Sequence, residues 1–361
     1  MAFVELDREK LKFNYNYLKS ILDKHEIKFG VVSKLLCGNE DYLKELINLG
    51  VEQILDARID NLRVIKKLDP EIETVYIRPP SKRGIKNVVK YADISFNTEF
   101  STIKLLSDEA KRQKKKHKVM IMIEMGDLRE GVLGEEFIDF YGSIFKLPNI
   151  EVVGIGTNLN CLNGVMPSQD KLVQLCLYEQ LVEAKFKRNI PYVSGGSSVT
   201  LELVFKNIIP EGITHFRIGE TLFMGNNLFT EEDIPEMKHD IFKLNTEIIE
   251  LTEKPVVPTG EIGTNVAGEV KSFDEEDYGK TSYRAILDVG LLDIDPQNMA
   301  PLDDGVEITG ASSDMIVVDL GSEKPKYKVG DLIQFRLNYM GALSVLGSKY
   351  CLLYTSDAAD E

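Results

Sequence analysis

Between Phe29 and Arg217 the chain alternates short runs rich in β-branched residues with longer segments whose apolar residues recur every three or four positions. The short runs are typical of buried strands, and the longer segments, such as 40–49 and 59–68, are typical of amphipathic helices. This alternation predicts repeated strand–helix units, which build a parallel sheet. The predicted strands are 29–33, 53–56, 74–77, 94–96, 119–123, 152–157, 191–194 and 215–218.

Eight such units in roughly 190 residues favour a closed (β/α)8 barrel over an open sheet. After Gly225 the pattern changes to strands separated by turns without helices, which predicts a C-terminal β domain. The predicted domains are therefore a barrel over residues 1–225, whose first residues could pair with the β domain, and a β domain over 226–350. The last eleven residues, CLLYTSDAADE, resemble a translated sequencing adapter, so we expect the natural sequence to be interrupted near Tyr350 and leave 351–361 out of the fold prediction.

Composition narrows the class of protein. A formal charge of −15, from 58 acidic and 43 basic residues, makes nucleic acid an improbable partner. The basic run 111–118 lies at the end of a predicted helix, where cations complement the helix dipole. No apolar segment reaches the ~20 residues of a membrane span, and the four cysteines and four histidines show no metal-ligand spacing. We therefore expect a cytoplasmic protein without a metal site.

Lys34 is the most unusual residue at a strand end. It follows the first predicted strand and is surrounded by apolar residues, so we expect the chain to bring one lysine to a buried position. Burial lowers the pKa of a lysine and supplies the free amine that forms a Schiff base with a carbonyl. The alternative is a lysine whose stem crosses apolar surface while its ammonium group reaches water.

A glycine–serine segment, Gly195-Gly196-Ser197-Ser198, follows the seventh predicted strand. Glycines let backbone N–H groups approach a phosphate and serines add hydroxyl donors, although a plain helix N-cap is the alternative interpretation. The eighth strand ends in Arg217-Ile218-Gly219-Glu220, and the last two strands of such barrels often share a phosphate site. Arg217 itself is costly to bury unless it is paired, so a structural ion pair remains an alternative.

Five segments in this order make the chain resemble the alanine racemase family of barrel-type pyridoxal phosphate (PLP) enzymes, and its ornithine racemase branch in particular. They are Lys34 with the following Cys37-Gly38 pair, 126–131, 156–159, 195–198 and 217–220. The resemblance covers residues 3–350. It implies a PLP-dependent racemase of a small amino acid, most directly ornithine.

The resemblance also implies residue roles. Lys34 would form the Schiff base and carry the proton on one face of the substrate, while Arg129 would contact the ring oxygen and could also contact the substrate carboxylate. Arg217 would contact the ring nitrogen and keep it unprotonated, which favours proton exchange over deeper electron withdrawal. Asn158 would lie against the ring where alanine racemases carry a histidine. The phosphate would be held by Ser197, Ser198, Gly219 and Glu220, with a hydroxyl from Tyr350 or Tyr339.

Racemisation needs a proton donor on the second face, which family members take from a tyrosine of the partner subunit's β domain. Leu291 stands where that tyrosine is expected. Candidate replacements are the segment 310–314, in particular Ser313 and Asp314, together with Tyr283 and Cys37. Without the resemblance, 310–314 would be interpreted as a β-domain turn. The resemblance further implies a head-to-tail homodimer, because the β domain would complete the partner's site.

Acidic residues near the predicted site bear on the substrate. Carboxylates could pair the distal ammonium of a dibasic amino acid, which suits ornithine better than alanine. The candidates are Glu124, Asp127, Asp293 and Asp314. Three alternatives stay open: a PLP-binding carrier or regulator without turnover, a racemase for alanine or lysine, and a Schiff-base aldolase that binds a phosphate without PLP.

Overall fold

The computed structural model describes residues 1–264, 268, 270, 272–348 and 351–356. The chain forms two compact units, one of residues 11–239 and the other of residues 1–10 with those from Asp240 onward. Strand β1 spans Phe3–Leu6 and helix α1 spans Arg8–Asp23.

Eight parallel strands close into a barrel in the unit of residues 11–239, which confirms the predicted (β/α)8 barrel. The barrel closes where the first strand pairs with the last, with Lys28 opposite His215 and Gly30 opposite Arg217. The strands are β2 (Lys28–Val32), β3 (Gln53–Asp56), β4 (Glu73–Tyr76), β5 (Ile94–Asn97), β6 (His117–Met122), β7 (Ile150–Gly156), β8 (Tyr192–Ser197) and β9 (His215–Ile218).

Helices follow the barrel strands. The longer ones bury one face, whereas the last two, of five residues each, are almost wholly buried. In the helix over residues 59–68, for example, Leu62 and Ile65 are fully buried. The helices are α2 (Glu40–Asn48), α3 (Ile59–Leu68), α4 (Ile85–Tyr91), α5 (Phe100–Arg112), α6 (Phe137–Ile144), α7 (Gln169–Phe186), α8 (Leu201–Phe205) and α9 (Glu220–Met224). An apolar cluster that includes Val32, Leu55 and Phe96 forms the core of the barrel.

The seventh barrel strand is longer than predicted. We expected it to end at Ser194 with a glycine loop after it, but β8 continues to Ser197. The glycines lower strand propensity, yet the pairing with β9 shifts register after Ser194 and resumes where Ser197 faces Arg217. The glycine–serine segment is therefore the end of a strand, and only Ser198 begins the following 3-10 helix, Ser198–Thr200.

The barrel unit extends past Gly225, the predicted boundary, to His239. The short strands β10 (Asn226–Asn227) and β11 (Glu232–Asp233) pair there as a hairpin. The buried side chain of Asn14 then ties the segment down, since it donates to the carbonyls of Leu222 and Lys238 and accepts from the Lys238 amide. These contacts hold residues 226–239 against the first helix.

The second unit is built on an antiparallel sheet with the strand order β14-β17-β12-β13-β16-β15, as expected for a β domain. Its strands are β12 (Phe242–Pro255), β13 (Thr281–Leu287), β14 (Met299–Pro301), β15 (Glu307–Ala311), β16 (Ile316–Asp319), β17 (Leu332–Leu337) and β18 (Leu352–Thr355). β1 pairs with β12, and β18, which lies in the segment left out of the prediction, pairs in parallel with β1.

A helix in the second unit was not predicted. Helix α10 spans Tyr339–Gly347, and its first turn is capped by Asn338, whose side chain accepts from the Gly341 amide at 2.8 Å. Among the described residues no α-helix separates the predicted strands after Gly225, and α10 follows the last of them. It was not predicted because the glycines of this segment obscured a pattern in which Ala342 and Val345 are buried. Among the described residues, no helix combines the length and apolar character needed to cross a membrane.

Candidate active site

Lys34 directly follows the buried end of β2. Val32 and Ser33 are buried, and Lys34 opens the 3-10 helix Lys34–Leu36, whose other two residues are also buried. Lys34 itself is exposed in this single chain, so the predicted burial of the lysine is wrong. The 3-10 turn explains the difference, because it directs the two leucines inward and leaves the lysine at the rim of the barrel.

A buried carboxylate supports the residue before Lys34. Asp56, at the end of β3, is fully buried and accepts hydrogen bonds from Ser33 Oγ (2.9 Å), the Arg58 amide (2.7 Å) and Asn61 Nδ2 (3.1 Å). Burial raises the pKa of Asp56, and these hydrogen bonds oppose that shift. The sequence analysis did not predict that Asp56 supports the turn at Lys34, although its position at a strand end could have indicated it.

The glycine–serine segment and the end of β9 lie side by side. Ser198 Oγ accepts from the amides of Gly219 (3.3 Å) and Thr221 (3.4 Å), so it caps the start of α9. Gly196 has a φ of +143°, and a Cβ there would lie 2.1 Å from Thr200 Oγ1. Backbone and hydroxyl groups therefore form a close cradle. The helices that directly follow this segment have no side-chain cap, so the plain N-cap alternative is not observed, and Ser198 contacts the start of α9 instead.

Glu220 follows Gly219 at the start of α9. Burial raises the pKa of its carboxyl group, and both the hydrogen bond from Asn226 and the charge of Lys34 oppose that increase. The residues after the first and last barrel strands thus lie close enough for the charge of Lys34 to act on Glu220, in keeping with the pairing of these two strands.

Arg217 is buried at 4 % exposure inside the barrel. It donates to Ser194 Oγ (2.6 Å), to the Thr157 carbonyl (2.9 Å) and to Asn158 Oδ1 (3.5 Å), and its guanidinium lies 5.5 Å from the centre of the Phe96 ring. Among the described residues these acceptors are uncharged, so the structure does not show the ion pair considered as the alternative. Burial lowers the pKa of Arg217 to about 10, which leaves it charged at neutral pH.

Three buried polar atoms close to these groups have no hydrogen-bond partner within the part of the chain that the structure describes. They are Thr157 Oγ1, Asn158 Nδ2 and Thr200 Oγ1. Leaving such groups unpaired costs free energy, so they are candidates to contact a bound polar molecule. Asn158, predicted to lie against the cofactor ring, is one of them.

Arg129 lies on the loop after β6 and is exposed. Its guanidinium makes a two-pronged ion pair with the adjacent Glu130, and this hydrogen bonding raises the pKa of Arg129. The charges of both Arg129 and Glu130 act on the buried Arg217, so this ion pair lies near its guanidinium. The two arginines therefore lie near a common region, and the guanidinium of Arg129 is already ion-paired with Glu130.

Two of the four acids predicted to bind a substrate ammonium are used by the backbone instead. Asp127 is 1 % exposed, and its carboxylate accepts four backbone amides, those of Cys161, Leu162, Asn163 and Val165. Glu124 accepts the amides of Gly126 and Leu128 in its own loop. The buried carboxylate of Asp127 is therefore used by the loop after β7 rather than open to a substrate ammonium, whereas the substrate role of the half-buried Glu124 stays a prediction.

The β unit brings the predicted second-face residues together. Leu291 is 39 % exposed, and its amide donates to the Ser312 carbonyl at 2.9 Å. Ser313 Oγ donates to the exposed Asp314 carboxylate at 2.8 Å. Residues 312–315 turn the chain between β15 and β16, as the alternative interpretation held, and the nearby Asp293 accepts from Ser348 Oγ.

The remaining candidates are the tyrosines and the histidines. Tyr339 begins α10, whereas Tyr350 lies outside the described residues. His117 and His215 are buried, and burial lowers the pKa of each to about 3, so both are neutral. No group of three or more metal-ligating side chains occurs in the described ranges.

The family model for the alanine racemase N-terminal domain matches residues 6–227. The chain belongs to this family. It is 40 % identical to an ornithine racemase of Acetoanaerobium sticklandii over 348 residues, which cover 96 % of this chain and 97 % of that protein. It is 30 % identical to a lysine racemase of Thermotoga maritima over 345 residues, or 96 % of each chain. These racemases are isomerases, and they confirm the family resemblance inferred from the sequence.

A solved alanine racemase shares the fold. The enzyme from Bartonella henselae, with covalently bound pyridoxal phosphate, superimposes with a TM-score of 0.72 at 18 % identity, over 98 % of this chain and 99 % of that one. The barrel followed by a β domain is thus the architecture of the alanine racemase family.

Proposed function

We propose that this protein is a PLP-dependent racemase that interconverts L- and D-ornithine. The observation that carries the proposal is the meeting of Lys34, the Ser198–Gly219 cradle and the buried Arg217 at the carboxyl ends of one barrel's strands. The 40 % identity to an ornithine racemase over nearly the whole chain supports ornithine as the substrate.

The residues present fit PLP. Its phosphate would be held by Ser197, Ser198 and the backbone of Gly219 and Glu220, where a Cβ at position 196 would collide with Thr200. Its ring would lie beside Arg217 and Asn158, whose Nδ2 is buried without a partner among the described residues. When bound, PLP supplies an aldehyde for covalent attachment and a conjugated ring that spreads the negative charge left when an α-proton departs.

Each side chain has a role that follows from its chemistry. Lys34 Nζ would anchor the cofactor and, once released as a neutral amine, accept and return the α-proton on one face. Arg217 can only donate hydrogen bonds, so it would leave an acceptor nitrogen opposite it unprotonated. Arg129 would orient the ring oxygen or the substrate carboxylate, in competition with Glu130.

The proton on the second face is assigned to Ser313 and Asp314 of a partner subunit in a head-to-tail homodimer. The hydrogen bond between these two side chains and the nearness of Leu291 support this assignment. A cytoplasmic location is also proposed, since all four cysteines are free thiols.

Incubation with L-ornithine in D₂O tests the proposal. We expect loss of optical rotation together with α-deuteration, both abolished in Lys34→Ala, and slower turnover with lysine and alanine. A wild-type protein that gains no visible absorbance with PLP, or that does not exchange the α-proton of any of the three amino acids, would contradict it.

A PLP-binding carrier without turnover is the second candidate, because Leu291 replaces the expected tyrosine. It predicts a PLP absorbance that depends on Lys34 but neither deuteration nor loss of optical rotation.

A further inference from the structure

We propose that a one-directional chain of hydrogen bonds along the inside of the barrel holds Arg217 in place and connects it to the carboxylate of Glu73. Ser194, His215 and Gln53 form the links, and they act as positioning residues for the site. The inference rests on the proposed function in one respect, the contact of Arg217 with the cofactor.

The chain is continuous in distance. Arg217 Nη1 donates to Ser194 Oγ at 2.6 Å, and Ser194 Oγ lies 3.0 Å from His215 Nδ1. His215 Nε2 lies 2.9 Å from Gln53 Oε1, and Gln53 Nε2 donates to Glu73 Oε2 at 2.7 Å. Ser194, His215, Gln53 and Arg217 are all buried, with exposures of 0, 2, 7 and 4 %.

The chemistry of the two ends fixes the direction of every bond. Glu73 also accepts from Lys118 Nζ at 3.2 Å and from Tyr192 OH at 3.4 Å, so it acts as an acceptor and Gln53 must turn its amide N–H₂ toward it. The Gln53 oxygen then requires a proton on His215 Nε2, which leaves Nδ1 to accept the Ser194 hydroxyl proton.

This direction of the hydrogen bonds is favourable for the charges of both Arg217 and Glu73. Each acceptor atom faces the guanidinium side and each proton faces Glu73, so the aligned dipoles stabilise a cation at one end and an anion at the other. Burial, together with the charge of Arg217, lowers the pKa of His215 to about 3, so the imidazole in the middle is neutral. A direct carboxylate partner would instead compete with the cofactor for the guanidinium.

A matched pair of serine variants tests the link to Arg217. Ser95 on β5 is also fully buried and bonds a buried histidine, with Ser95 Oγ 2.8 Å from His117 Nε2, but this pair does not reach Arg217. We expect Ser194→Ala to weaken PLP binding to the apoprotein about tenfold to a hundredfold and to shift the absorption maximum of the bound cofactor. Ser95→Ala should lower the melting temperature similarly while leaving affinity and spectrum unchanged.

A second pair tests the charge of Glu73. Glu73→Gln preserves the shape of the side chain and removes its charge, so we expect a smaller spectral shift in the same direction and a lower kcat without a change in KM. Glu52→Gln, an exposed change next to Gln53, should alter neither the absorption spectrum of the bound cofactor nor kcat. If Ser194→Ala and Glu73→Gln lower only the melting temperature, the chain is merely structural and the proposal is wrong.

Imidazole ¹⁵N NMR of the cofactor-free protein separates this inference from the proposed function. We expect His215 to be neutral with its proton on Nε2, and a proton on Nδ1 would overturn the chain whatever the protein binds. A wild-type protein that shows the expected tautomer but binds no PLP would refute the proposed function and the positioning role while leaving the direction of the chain established.

Discussion

The hydroxyl group of Ser33 donates a 2.9 Å hydrogen bond to the carboxylate of Asp56. Ser33 precedes Lys34, so this contact joins the end of β3 to the turn that presents the lysine. In Asp56→Ala three donors lose their buried acceptor, and we expect the free energy of unfolding to fall by about 1–3 kcal/mol, with slower attachment of PLP. Melting temperatures and PLP binding rates measure the two effects, and Asp60→Ala, at an exposed residue of α3, should show neither.

The pH dependence of Asp56→Asn is a separate prediction. Because burial raises the pKa of Asp56, the folded protein holds a proton that the unfolded chain releases above about pH 4. The stability of the wild type relative to Asp56→Asn should therefore decrease as pH rises from about 4 toward the raised pKa in the folded state. A difference in melting temperature that is constant from pH 4 to 7, or that grows in favour of the wild type, would contradict this assignment.

Asp127 is expected to order the loop after β7. Burial raises its pKa, but four backbone hydrogen bonds outweigh burial, and the net pKa is lowered. In Asp127→Asn we expect a loss of about 1–3 kcal/mol and faster amide hydrogen exchange at Cys161, Leu162, Asn163 and Val165. Exposed Glu135→Gln is the control. Wild-type exchange rates at these amides in Asp127→Asn would rule out the role.

The sign of the pH effect at Asp127 is opposite to that at Asp56. A lowered pKa means that the ionised carboxylate stabilises the folded state, fully so above about pH 4. The advantage of the wild type over Asp127→Asn should therefore shrink as pH falls below about 4 through the lowered pKa. Comparing the two variants by thermal unfolding on one pH series tests both assignments at once.

Gly196 is expected to tolerate no side chain. Its φ of +143° disfavours other residues, and an added Cβ would lie 2.1 Å from Thr200 Oγ1. We expect Gly196→Ala to cost about 1–3 kcal/mol and to reduce PLP affinity, because the cradle must open. Gly263→Ala, where a Cβ meets no atom within 4 Å, is the control. Unchanged melting temperature and affinity in Gly196→Ala would mean that the cradle is not closed in solution.

The sequence predicted the barrel because its signal is local, with eight apolar runs separated by amphipathic helices. It also identified Arg217 and the glycine–serine segment, because a charge at an inner strand end and paired glycines are visible without coordinates. The exposure of Lys34 could not be predicted, since the direction of that side chain depends on a 3-10 turn that ends at Cys37 with φ +49°.

Long-range contacts account for the other differences. Asp127 was visible as an acid near the site, but its partners are backbone amides 34 to 38 residues further along the chain, which no residue pattern marks. The hydrogen-bond chain from Arg217 to Glu73 likewise connects strands far apart in sequence, since Gln53 and His215 are separated by 162 positions. By contrast, Asn338 was a detectable capping signal for α10, and the glycines of that helix masked it.

The assignment of the second-face proton to Ser313 and Asp314 leads to the sharpest kinetic prediction. A missing general acid or base costs about 10²–10⁴-fold, so Asp314→Asn should lower racemisation by that factor, and Ser313→Ala should also lower it. Exchange on the Lys34 face should continue, so one enantiomer of ornithine should gain α-deuterium in D₂O without inversion. Asp304→Asn, an exposed change elsewhere in the β unit, is the control. Wild-type racemisation in both variants would transfer the role to Tyr283 or Cys37, because the second proton must still come from the face opposite Lys34.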